Sequence, residues 1–136
     1  RARAAGVPVS YANDNFGKWR SDFRKLVETL SAPDHPAREV VKPLVPGPDD
    51  YFILKPRHSA FYGTPLELFL HDLAVERIVL TGIAADSCVL MTACDAHVRQ
   101  FSVSVPADCV ASADADNARQ ALALLTRITK ADVRES

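Results

Sequence analysis

Short apolar, β-prone runs alternate along the chain with stretches in which apolar residues return every three or four positions. Tyr51-Phe52-Ile53-Leu54, Arg77-Ile78-Val79-Leu80-Thr81-Gly82 and Phe101-Ser102-Val103-Ser104-Val105-Pro106 read as strands. Val7–Ala12 reads as a shorter strand with Pro8 at its start or at an edge, broken by the turn formers Asn13 to Gly17. The unbroken run at 51–54 predicts a buried strand, and that at 78–80 a parallel strand covered on both faces.

Helical spacing links Phe23, Leu26, Val27 and Leu30 behind a cap at Ser21 or Asp22, and Leu66, Phe69, Leu70 and Leu73 behind Thr64-Pro65. It recurs in Val89, Leu90, Ala93 and Val98 behind Asp86 or Ser87. A last helix over about 115–129 turns Ala118, Leu122, Leu125 and Ile128 inward. Prolines recur between 31 and 50, where loops with at most short helical turns are expected. Arg1–Gly6 reads as a helix tail closed by its glycine, and Ala131–Ser136 as a final strand barely begun. Strands alternating with helices predict an α/β fold: a parallel sheet between two helical layers, in one domain over 1–136.

Composition narrows the function classes. With 136 residues, 48% hydrophobic and a net charge of −1, the chain has the make-up of a globular protein without a basic stripe for nucleic acid. Its apolar runs stop well short of the roughly 20 residues that span a membrane. Cys88, Cys94 and Cys109 form no CxxC pair, which argues against a disulfide framework and for a reducing, cytoplasmic setting. The same spacing argues against thiol redox chemistry. His35, His58, His71 and His97 are scattered and none stands at ligand spacing from a cysteine, so no metal and no cofactor are expected.

In such a sheet, ligands bind beyond the carboxyl ends of the strands. That rule selects 13–17, 55–63 and 82–88, which are expected to meet at one mouth. Gly82-Ile83-Ala84-Ala85-Asp86-Ser87-Cys88 puts a cysteine at a helix start, where unpaired N–H groups favour the thiolate and can hold an oxyanion. The competing reading of Cys88 is a small buried hydrophobe. Lys55, leaving a strand, is either a cation beside that thiolate or an ordinary solvated lysine. His58 is either a base for Cys88 or a surface group. Phe16, Trp19, Phe61 and Tyr62 are candidates for the pocket wall, with ordinary packing as the alternative.

Two segments carry a resemblance. Lys55-Pro-Arg-His-Ser-Ala-Phe-Tyr-Gly-Thr-Pro-Leu, followed by Val79-Leu-Thr-Gly-Ile-Ala-Ala-Asp-Ser-Cys-Val, resembles the isochorismatase-like cysteine hydrolases, and Tyr11–Asp22 resembles a segment of bacterial members. The resemblance implies a Rossmann-like αβα sandwich with an Asp–Lys–Cys triad. Carried over, Cys88 is the nucleophile, Lys55 supports its thiolate, and the N–H groups of Ala84 and Cys88 form the oxyanion hole. A cis peptide is implied between Ile83 and Ala84.

The family's aspartate follows a first strand upstream of the helix ending at Gly6, so the domain is expected to be N-terminally incomplete, with that strand and aspartate missing. Asp14 is a conceivable stand-in. Ala85 stands where many members have threonine. Asn13-Asp14-Asn15 has no histidine beside it, which disfavours a metal-dependent nicotinamidase; the presence of Cys88 disfavours isochorismate ether hydrolysis.

The expected function is cysteine-dependent hydrolysis of a C–N bond in a small amide or ureide through a thioester. The alternative is a non-catalytic binding or assembly module with an incomplete site. The partner is a small-molecule substrate, and the resemblance implies a homo-oligomer.

Overall fold

The structure, a computed structural model, describes residues 1–20 and 22–136. Its elements are β1 (Ser10–Asp14), α1 (Phe23–Leu30), α2 (Arg38–Val41), β2 (Tyr51–Lys55), α3 (Leu66–Asp72), β3 (Arg77–Val79), β4 (Gly82–Ile83), α4 (Leu90–Val98), β5 (Ser102–Ser104), β6 (Val110–Ala111) and α5 (Ala115–Thr129). The strands pair as β1 with β2, β3 with β5 and β4 with β6, each in parallel. Parallel pairs joined through helices make this the expected α/β sandwich class.

The β1–β2 ladder positions the site. Ser10 pairs with Tyr51 and Asp14 with Lys55, so Asn13 and Asp14 belong to the strand and not to the turn that their residue types suggest. Backbone pairing with β2 outweighs local turn preference here. Beyond the ladder, the Asn15 N–H donates to the Lys55 carbonyl at 2.8 Å, and the turn follows at Phe16 and Gly17, both at positive φ. At the other end Pro8 precedes the strand, and the Tyr51 N–H reaches the Val9 carbonyl at 2.9 Å.

Asp22 caps α1 by accepting from the N–H groups of Arg24 and Lys25; the alternative cap, Ser21, lies outside the described residues. Arg1–Gly6 ends a 3-10 turn with Gly6 in the left-handed region, its N–H donating to Arg3. Arg3 then ties this turn down, donating to Asp50 at 2.5 Å and to the Tyr11 hydroxyl at 2.8 Å. At the far end, the Asp132 N–H donates to Val103 and its carbonyl accepts from Val105, so the last residues do begin to extend the sheet beside β5.

Three expectations about burial are corrected. In β2 only Ile53 and Lys55 are buried, whereas Tyr51, Phe52 and Leu54 are exposed; within the described residues one face of this strand is covered. In β3 Ile78 is buried but Val79 is 58% exposed, so the strand is not covered on both faces. In α5 the inward stripe is Ala121, Leu125 and Thr129, while Ile128 faces solvent. Leu122, three residues before Leu125, is partly buried against the apolar core.

Ile53, Phe61, Leu70, Ile78, Ala93, Val103 and Leu125 belong to one apolar core joining β2, α3, β3, α4, β5 and α5. Among the described residues no helix is long and apolar enough to cross a membrane.

Candidate active site

The three selected loops do converge. Lys55, the last residue of β2, is 3% exposed, and its ammonium donates to Asp14 Oδ2 at 2.5 Å and to Cys88 Sγ at 3.5 Å. The Cys88 thiol in turn lies 3.5 Å from the same Asp14 oxygen, to which it donates. Parallel register explains the first contact: paired residues Asp14 and Lys55 project to one side at the carboxyl ends of their strands.

Burial of the Asp14 carboxyl works against its ionisation. The Lys55 hydrogen bond and charge overcome that, helped by the Cys88 thiol and the His58 N–H, and hold Asp14 below the usual carboxylate range. The carboxylate therefore stays ionised at neutral pH, against a buried cation and a thiol.

The cysteine turn differs in detail from the expected helix start. Gly82 takes φ 109° and the Ile83–Ala84 peptide is cis, as the resemblance implies. Ala85–Val89 then winds as a π-turn before α4 begins at Leu90, so Cys88 sits in a wider turn than an α-helix N-terminus. The Ala84 carbonyl accepts from both Ser87 and Val89, which fixes the turn directly before the thiol.

Helix α4 also holds the loop after Lys55. The Thr92 hydroxyl accepts from the Ala60 N–H at 3.0 Å, and Ser59 Oγ donates to Asp95 at 2.5 Å. Arg99 bonds Asp95 and Glu67 and lies over the Phe61 ring, 4.9 Å from its centre. One helix thus carries the cysteine turn at its start and anchors the lysine loop along its side. These tethers join residues more than thirty positions apart, and nothing in their local sequence announces them.

A cavity of about 570 Å³ opens beside Asp14, lined also by Phe16, Trp19, Arg57, His58 and Tyr62. Phe16, Trp19 and Tyr62 are thus at the cavity surface. Phe61 does not: it is 6% exposed and packs on Phe101 within the core. Turns run through this loop, and of its two adjacent aromatic residues Phe61 is buried and Tyr62 exposed. His58, at φ 42°, is held against the cysteine turn by a 3.1 Å hydrogen bond between its Nδ1 and Ser87 Oγ. Cys94 lies on the core side of α4, where burial and the Asp95 charge push its thiol upward.

The isochorismatase-domain family model matches residues 1–133. The isochorismatase family protein YaaI of Bacillus subtilis is 36% identical over 132 residues, which cover 97% of this chain and 72% of that protein. N-carbamoylsarcosine amidase of an Arthrobacter species is 33% identical over 121 residues, covering 80% of this chain but only 45% of the amidase. Among solved structures, a cysteine hydrolase from Pseudomonas syringae pv. phaseolicola superposes with a TM-score of 0.78 at 26% identity, covering 98% of this chain and 70% of that one. With a family match over nearly its whole length and the expected strand-end geometry, this chain belongs to the isochorismatase family.

Proposed function

We propose that the chain forms a single hydrolase domain that cleaves a C–N bond in a small amide or ureide, with Cys88 as nucleophile. The observation that carries this is the mutual contact of Asp14, Lys55 and Cys88 at one strand-end mouth beside a cavity. In this reading Asp14 takes the thiol proton and Lys55 balances the thiolate charge. The thiolate adds to the substrate carbonyl, and the N–H groups of Ala84 and Cys88 receive the oxyanion. The proton held by Asp14 passes to the leaving nitrogen, the C–N bond breaks, and a thioester remains on Cys88. Water, giving its proton to Asp14, then releases the acid.

Phe16, Trp19 and Tyr62 form the wall against which the substrate packs. The amide class is supported by the kinship with N-carbamoylsarcosine amidase. Three free cysteines support a reducing, cytoplasmic compartment. Self-association belongs to the same proposal, supported by the exposed apolar side chains Val79 and Ile83.

The test is to incubate the protein with a panel of small amides and ureides, quench in acid, and look for the acyl adduct by peptide mass spectrometry. A thioester on the Cys88 peptide, absent in Cys88→Ser, supports the reading. Turnover that persists in Cys88→Ser contradicts it, and binding without adduct or turnover across the panel favours the non-catalytic module.

A further inference from the structure

One ring nitrogen of His58, the Cys88 sulfur and an Asp14 carboxylate oxygen all lie within 4.8 Å of one another. They come from a strand end and two loops far apart in the chain, so no local ligand spacing reveals them. In a tetrahedral zinc site with Zn–S of about 2.3 Å and Zn–O of about 2.1 Å, sulfur and oxygen ligands stand roughly 3.6 Å apart. The Cys88 sulfur and Asp14 Oδ2 are 3.5 Å apart. The hydrogen bond between His58 Nδ1 and Ser87 Oγ supplies the kind of outer contact that orients ligating histidines. From these distances we propose that Asp14, His58 and Cys88 form a binding site for one zinc-class divalent cation, and that filling this site silences the thiol.

The assignment goes beyond the hydrolase reading. On binding, the thiol gives its proton to water and its sulfur becomes a ligand, while Asp14 and one His58 nitrogen complete three of four positions. The fourth is left to water. The Lys55 ammonium bonds both Asp14 and Cys88, so an incoming cation competes with it and binding is reversible.

The experiment titrates the protein with Co2+ alone, in a variant whose Cys94 and Cys109 are changed to serine so that Cys88 is the sole thiol. One equivalent is expected to bind with thiolate-to-cobalt charge-transfer absorption, removed by EDTA and absent in Cys88→Ser. Binding in His58→Ala, or in His58→Gln should the first not fold, is expected to weaken at least tenfold. In the unaltered chain, Zn2+ is expected to protect Cys88 from iodoacetamide while Cys94 and Cys109 react as before. A folded protein with no charge-transfer band, or unchanged affinity without the His58 ring, overturns the site. Because the readout is spectroscopic, a metal-free protein that turns over none of the amides yet gains the band with Co2+ overturns the hydrolase reading and leaves the metal site standing.

Discussion

Lys55 and Asp14 are cross-strand partners in a parallel ladder, and their side chains form an ion pair that is almost wholly buried, with 4% and 10% of the side chains exposed. Both charges contact the Cys88 sulfur. Removing one partner of such a pair leaves an uncompensated buried charge. Asp14→Asn is therefore expected to lower any Cys88-dependent turnover by a factor of 10² to 10⁴, the usual range for a lost proton-transfer group. Steady-state kinetics on a substrate from the amide screen, with circular dichroism to verify folding, checks it; a loss below tenfold contradicts the role given to Asp14.

The same pair sets an acid limit. Asp14 is held below the usual carboxylate range in the folded chain, chiefly because Lys55 overcomes the burial that opposes ionisation. A group depressed in this way contributes stability that is present above its unfolded value, roughly 3.9, and is lost as pH falls through the folded value. Relative to Asp14→Asn, the parent chain is expected to lose stability as pH drops below about 4. Urea denaturation of both proteins between neutral and acid pH measures the difference, which should stay constant above that range.

Thr92 links α4 to the lysine loop through a buried hydrogen bond from the Ala60 N–H. Thr92→Val keeps the shape but strands that N–H, at a cost of about 1–3 kcal/mol. The loss should appear in denaturant unfolding at pH 7. It should be accompanied by slower, less selective alkylation of Cys88 if the tether positions Lys55 against the thiol.

Leu125 and Ile128 separate two readings of α5. Leu125 is fully buried and Ile128 is 45% exposed. Leu125→Ala should cost about 2–5 kcal/mol through the cavity it leaves. Ile128→Ala, at the position that simple spacing placed inside, should stay within about 0.5 kcal/mol as exposed sites do. Thermal unfolding of the two variants distinguishes them.

Trp19, the single tryptophan, is 73% exposed on the cavity wall. Its fluorescence should respond to saturating small amides, and Trp19→Ala or Tyr62→Ala should weaken substrate binding with the fold intact. Phe61→Ala, in contrast, should destabilise by about 3–5 kcal/mol because that ring is core.

Much of the fold was legible because its signals are local. The stop at Gly6, the cap at Asp22 and the limits of α5 follow from short-range chemistry. So did Lys55 and Cys88, through strand ends, a glycine turn and two family-like motifs. Asp14 was harder to place because Asn13-Asp14-Asn15 has the residue types of a turn, and only pairing with β2 extends the strand to it. His58 beside Cys88, and Phe61 turned away from the pocket, depend on the path of one loop tethered by Thr92 and Asp95. Such long-range contacts leave no periodic trace in the chain.

The measurement that bears most directly on the central claim is alkylation of the native protein by iodoacetamide as a function of pH, with each cysteine read separately by peptide mass spectrometry. The contact with Lys55 and Asp14 should make Cys88 react selectively at neutral pH, and Lys55→Met should abolish that selectivity. Cys94, whose thiol is pushed upward by burial, should lag until alkaline pH. If Cys88 reacts no faster than Cys94 and Cys109 in the folded protein, the cluster does not activate the thiol and the cysteine-hydrolase account fails.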